Sequence, residues 1–185
     1  MLTFRGFIAI DVDASKELIE FMNDLKKISA RLKLVETKNI HLTLKFLGNT
    51  REDAVDEIAD CIRKASKGIE PFSFRLKGVG VFPNMKRINV IWVGIEDGNE
   101  IVTIANRLEE ELHRLGYKKE RREFSPHVTV ARVKSVENKN ELISTLEKYA
   151  NRTFGKVIVS SIKLKKSELT PKGPIYTTLR DINLG

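Results

Sequence analysis

The chain has 185 residues and a formal net charge of +8, from 33 Lys+Arg against 25 Asp+Glu. At 41% hydrophobic and 31% charged it has the balance of a folded protein and excludes a disordered chain. Its one cysteine, Cys61, excludes a disulfide framework and any multi-cysteine metal site, which points to a reducing compartment, read as the cytoplasm.

The N-terminal run MLTFRGFIAIDVD is interrupted by Arg5 and stopped by Asp11, too short an apolar patch for a signal peptide or a membrane span. Arg5 to Val12 reads as a buried strand. Asp13 or Ser15 then caps a helix reaching about Arg31, with Leu18, Met22 and Leu25 on its apolar stripe. Residues 40–47 alternate as a strand ending at Gly48, after which Thr50 caps a second helix carrying Val55, Ile58, Ala59 and Ile62. Phe72–Phe82 and Asn89–Val93 are expected as strands about a turn at Pro83–Asn84. A third helix, Asp97–Leu115, stops at Gly116. The second half echoes the first: a strand at 127–133, a helix at about 138–150, then strands at roughly 154–165 and 174–183. No linker or low-complexity run divides the chain, so residues 1–185 are expected to form one domain. Strands and helices mix without βαβ alternation, which predicts an α+β fold with largely antiparallel pairing.

The histidines are three in number, and two stand in matching surroundings: His41-Leu-Thr43-Leu and His127-Val-Thr129-Val. Threonine occupies only eleven of 185 positions, so its presence two residues after both is not a compositional accident. Residues two apart on a strand share a face. His41, Thr43 and Lys45 are therefore expected on one face, opposite Leu42, Leu44 and Phe46. Likewise His127, Thr129 and Ala131 oppose Val128 and Val130, and Arg132 falls on the aliphatic side, where the strand bends or the guanidinium is tucked against a partner. A pair of imidazoles across a cleft suits phosphoryl chemistry, one as general base and the other, protonated, as donor to the leaving oxygen. Threonine hydroxyls can hold non-bridging phosphate oxygens. Nothing in this scheme needs a metal or a cofactor.

Other motifs are weaker. His113 lies in the last turn of the third helix, where a cation suits the helix end. HExxH, CxxC, GxGxxG and Walker-type GK[ST] are all absent. Ser125 reads as a turn residue rather than a nucleophile. Arg114, Lys118, Lys119, Arg121 and Arg122 lead into the second motif, and Lys163, Lys165 and Lys166 form another basic group. Each reads as solvated surface or as the approach for an RNA end, with Arg121, Arg122 and Arg132 as the RNA-binding candidates. Phe82 and Trp92 read equally as base-stacking or core residues.

The stretches His41-Leu-Thr-Leu-Lys-Phe-Leu-Gly48 and Ser125-Pro-His-Val-Thr-Val-Ala-Arg132 resemble the two signature motifs of the 2H phosphoesterase superfamily, and within it the RNA 2′,3′-cyclic phosphodiesterase or 2′-5′ RNA ligase family. The resemblance extends to Phe4-Arg-Gly-Phe-Ile-Ala-Ile10, Gly78-Val-Gly-Val-Phe-Pro83 and Gly173-Pro-Ile-Tyr176, covering essentially the whole chain. One departure is Ile88-Asn89, where relatives carry Pro-Arg; Arg87 is the nearest substitute. The resemblance implies a bilobal, pseudo-symmetric duplication: two intertwined lobes whose antiparallel sheets line a central cleft, with helices outside and one motif in each lobe. It implies hydrolysis of terminal 2′,3′-cyclic phosphate on RNA, tRNA fragments among the candidates, to a 2′-phosphate. His41 would be the proton donor, His127 the proton acceptor, and Thr43 and Thr129 the phosphate ligands. Some members also join RNA ends through a 2′-5′ linkage. The rival readings are a phosphodiesterase for small cyclic nucleotides or 2′-5′ oligomers, and a non-catalytic RNA-binding protein. A monomer with no membrane partner is expected.

Overall fold

The computed structural model describes residues 2–185. Nine strands form one antiparallel sheet in two groups. The first group holds β1 (Thr3–Asp11), β3 (His41–Arg51), β8 (Ser161–Thr170) and β9 (Gly173–Asn183) in the order β3-β1-β8-β9. The second holds β4 (Phe72–Asn84), β5 (Arg87–Glu96), β6 (His127–Val136) and β7 (Thr153–Val159) in the order β7-β4-β5-β6, with β2 (Ala30–Leu34) added against β6. The groups meet through one paired position, Leu42 opposite Val128. Helices α2 (Val55–Ser66) and α3 (Asn99–Arg114) pack on the first group, and α1 (Lys16–Lys26) and α4 (Lys139–Tyr149) on the second. Because β1 feeds α1 across the divide and β5 feeds α3 back, each lobe draws on both halves of the sequence. None of the helices among the described residues is long and apolar enough to cross a membrane.

The four expected helices are present, and several boundaries are corrected. Helix α1 ends at Lys26 rather than near Arg31: from Ala30 the pattern becomes period two, with Leu32 and Leu34 half-buried and Arg31 and Lys33 exposed, and the chain pairs with β6. Ser15 is the α1 cap, accepting from the Leu18 amide at 3.0 Å while its hydroxyl reaches the Phe154 carbonyl on β7. Thr50 caps nothing. Strand β3 runs through Gly48, whose φ of +69° turns the backbone opposite Gly6, and Thr50 is buried in it, donating to the Gly48 carbonyl at 3.2 Å. The expected single strand at 154–165 is two, divided at Ser160, because β7 pairs with β4 in one lobe and β8 with β1 in the other.

The two lobes correspond pair by pair. In the first, Asp11, Ile10, Ala9, Ile8 and Phe7 oppose His41, Leu42, Thr43, Lys45 and Phe46. In the second, Gly94, Val93, Trp92, Ile91 and Val90 oppose His127, Val128, Thr129, Ala131 and Arg132. Both ladders skip one residue after the threonine, Leu44 in β3 and Val130 in β6. An extra residue in one strand bends it and exchanges the faces beyond it.

Candidate active site

The skipped residue corrects the expected faces. Lys45 does not join His41 and Thr43; it turns beneath the sheet, buried, where its Nζ donates to Glu109 on α3 at 2.6 Å and to the Lys118 carbonyl at 2.9 Å. Phe46, expected among the aliphatic row, is 62% exposed on the cleft side. In the same way Ala131 enters the core and Arg132 emerges into the cleft, so the strand bends at this position.

Between the lobes lies an open cleft of ≈ 450 Å³ lined by His41, Thr43, His127, Thr129 and Arg132. The histidines are held alike. His41 Nδ1 lies 2.7 Å from the carbonyl of Asn39, and His127 Nδ1 lies 2.8 Å from that of Ser125. A carbonyl can only accept, so each Nδ1 donates, and each Nε2 is the atom that gains or loses the proton. Thr43 and Thr129, two residues on, stand half-buried beside them.

The surroundings of the rings differ. His41 packs against Phe7 (centroids 5.1 Å apart) and edge-on to Tyr176 (5.3 Å). His127 packs edge-on to Phe82 (4.9 Å) with Trp92 behind (6.1 Å). Phe82 and Trp92 thus wall the second imidazole, and neither lines the open cleft. Gly80 belongs to this wall: a Cβ there would fall 2.2 Å from the Trp92 ring.

Burial pushes the His41 imidazole below its ordinary value; the Asn39 carbonyl opposes this, Lys165 and His127 add to it, and Asp11 opposes it. Asp11, facing His41 across the β1–β3 pair, is bound by Lys163 at 2.7 Å and by Lys165, with Asp181 3.8 Å from Lys163. Burial raises the Asp11 carboxyl, but these two lysines outweigh it and hold the group below the usual carboxylate range. The matching position in the other lobe is Gly94, without a side chain. Burial also raises the Tyr176 phenol, against the lowering pull of Arg132 and Arg5, two cations from opposite lobes.

Of the expected site residues, His41, Thr43, His127, Thr129 and Arg132 come together in the cleft, while Arg121 and Arg122 lie exposed on the segment before β6, outside its lining. Arg87 sits exposed at the β4–β5 turn. Sequence reasoning missed Phe7, Phe46 and Tyr176 as site residues; the family-like stretches Phe4–Ile10 and Gly173–Tyr176 were the available signal for two of them.

Residues 4–168 match the family model described as the 2′-5′ RNA ligase superfamily. Proteins named RNA 2′,3′-cyclic phosphodiesterase are similar over nearly their whole lengths. That of Methanothermobacter thermautotrophicus is 37% identical over 182 residues, covering 97% of this chain and 98% of the relative. That of Methanocaldococcus jannaschii is 41% identical over 179 residues, covering 96% and 99%. Among solved structures, a Thermus thermophilus protein superposes with a TM-score of 0.81 at 27% identity, covering 97% of each chain.

Proposed function

The chain belongs to the 2′-5′ RNA ligase superfamily, and from that premise we propose that it hydrolyses the terminal 2′,3′-cyclic phosphate of RNA to a 2′-phosphomonoester, using His41 as proton donor and His127 as proton acceptor. The observation that carries the reading is the matched pair of imidazoles, each Nδ1 tied to the carbonyl two residues back and each with its Nε2 free for proton transfer. His127 Nε2 takes a proton from water as its oxygen attacks phosphorus. The bond from phosphorus to the 3′-oxygen breaks, and that oxygen takes the proton held on His41 Nε2. One proton is gained and one given, so the pair ends in the opposite charge state and resets through solvent. Thr43 and Thr129 donate to the non-bridging oxygens, and Arg132 adds fixed positive charge as the phosphorane develops. The exposed face of Phe46 offers a base a stacking surface. Burial lowers His41 in the free protein, and an anionic phosphodiester between the lobes restores its proton. An RNA 5′-hydroxyl in place of water would give a 2′-5′ linkage by the same proton movements, without ATP.

The scheme includes no metal, and the setting we assign is the reducing cytoplasm, in keeping with one buried thiol. The test is an RNA ending in a 2′,3′-cyclic phosphate. A 2′-phosphate product is expected, unaffected by EDTA, and His41→Ala and His127→Ala should each lower kcat by about 10²–10⁴-fold with folding retained. A 3′-phosphate product, or full activity in both variants, would overturn the assignment.

A further inference from the structure

The cations of the cleft differ in one respect from the basic run of residues 114–122. Arg114 is paired with Glu111 and Lys119 with Glu110, and no cation of that run lines the cleft. Arg5, Lys33, Arg132, Lys134 and Lys172 all line the cleft, and among the described residues none of the five has a carboxylate within ion-pair distance. One acid, Glu36, shares the lining, and it faces Lys38 at 2.9 Å. Unneutralised positive charge is therefore concentrated where a polyanion would lie.

These cations also extend well past the reacting centre. Lys33 pairs with Arg132 across the β2–β6 ladder, and Lys134 comes two residues later. Lys134 stands seven residues beyond His127, on the order of 20 Å along a strand at ~3.3 Å per residue. An extended lysine does not bridge that distance back to a phosphate held between the imidazoles. Lys172, at the turn joining β8 to β9, sits at the opposite rim, beyond Tyr176 and beside the exposed Leu169. A cyclic mononucleotide has a single phosphate, so it leaves these lysines with nothing to bind. A strand that ends in the cyclic phosphate has further phosphates only on its 5′ side.

We propose that Lys33 and Lys134 on one wall and Lys172 on the other form a track for the phosphodiester backbone upstream of the reacting end, which makes the protein select an RNA strand over a cyclic mononucleotide. The proposal rests on the cyclic phosphodiesterase reading. It locates strand recognition along β2, the distal half of β6 and the β8–β9 turn, and it assigns these lysines no part in the chemical step.

The experiment uses the full chain in three forms: wild type, Lys33→Gln/Lys134→Gln, and Arg121→Gln/Arg122→Gln, the last two removing equal charge. Each is given a ten-nucleotide RNA ending in 2′,3′-cyclic phosphate and, separately, adenosine 2′,3′-cyclic phosphate. Affinity for the same decamer ending in 2′-phosphate is measured in parallel by fluorescence anisotropy across salt concentrations. The lysine pair should raise KM for the decamer about tenfold, leave hydrolysis of the mononucleotide within about twofold, and reduce the salt slope of binding by about 1.4, at ~0.7 per lost single-strand contact. Lys172→Gln should act in the same direction with about half the effect. Unchanged decamer KM and affinity would overturn the track, as would equal losses on both substrates or an equal loss from the arginine pair. If the wild type hydrolyses neither compound, the phosphodiesterase reading fails by itself. The track is then decided by anisotropy: weakened binding in the lysine pair upholds it and unchanged binding rejects it.

Discussion

His41 and His127 share their backbone anchor and their threonine, and they differ in the residue across the ladder. Asp11 faces the first and Gly94 the second. That difference makes the proton affinity of His41 adjustable from β1 and β8. In the free protein, the imidazole resonance lost in His41→Asn is expected to titrate below the ordinary ~6.5. Asp11→Asn should lower it further, since the substitution removes the raising anion and leaves the lowering charge of Lys165 without its carboxylate. Lys165→Met should move it up. NMR titration of the three proteins reads these directions, and shifts of one sign in both variants would show that the cluster acts through structure rather than charge. A donor works only while protonated, so the limb of kcat/KM assigned to His41 should fall as pH rises through this lowered value, and inorganic phosphate in the cleft should carry the resonance upward.

The bulged strands β3 and β6 supply the site, and the residue rotated by each bulge serves its own lobe. In β3 that residue is Lys45, a buried ammonium between Glu109 and the Lys118 carbonyl that ties the strand to α3 and to the segment leading toward β6. Removing the carboxylate leaves that charge buried and incompletely paired. Glu109→Ala is therefore expected to destabilise the protein by about 3 kcal/mol, whereas Lys45→Met, which removes the charge but keeps the volume, should cost much less. Chemical denaturation checks the order of the two. In the other lobe, the phenol of fully buried Tyr149 donates to Asp24 at 2.6 Å and joins α4 to α1. Burial, with Asp24, pushes that phenol up to about 12, while the Tyr149 hydrogen bond, with Lys27 and Lys148, holds the Asp24 carboxyl far below its usual range. Stability drawn from this bond is present above the ordinary carboxylate pKa and is lost as pH falls through the lowered one. Tyr149→Phe should cost about 2 kcal/mol at neutral pH and leave the cyclic phosphodiesterase activity intact.

Across the whole molecule, the lobes are built from interleaved segments and touch through few backbone pairs, with the cleft at their junction. Because β1–α1 and β5–α3 cross between them, neither lobe corresponds to a continuous stretch of chain. Calorimetry is expected to show one transition with equal van't Hoff and calorimetric enthalpies; two separated transitions would show lobes that unfold independently. The sequence by itself determined the two histidines and their threonines, since a spacing of two on a strand puts both side chains on one face without reference to any neighbour. It likewise determined that four helices are present, whose apolar stripes are local, but not where the first stops or the second starts, because strand pairing takes up Ala30–Leu34 and Thr50. It could not place Lys45, Phe46, Ala131 or Arg132, because a bulge is a relation between two strands and alternation read along one of them continues straight through it. Nor could it separate the basic run at 114–122 from the cations of the cleft, because proximity along the chain does not report which cations the fold brings to the cleft lining. Only the tertiary structure brought Arg5, Lys33, Lys134 and Lys172, drawn from β1, β2, β6 and the β8–β9 turn, to the lining of one cleft, where no carboxylate among the described residues neutralises them.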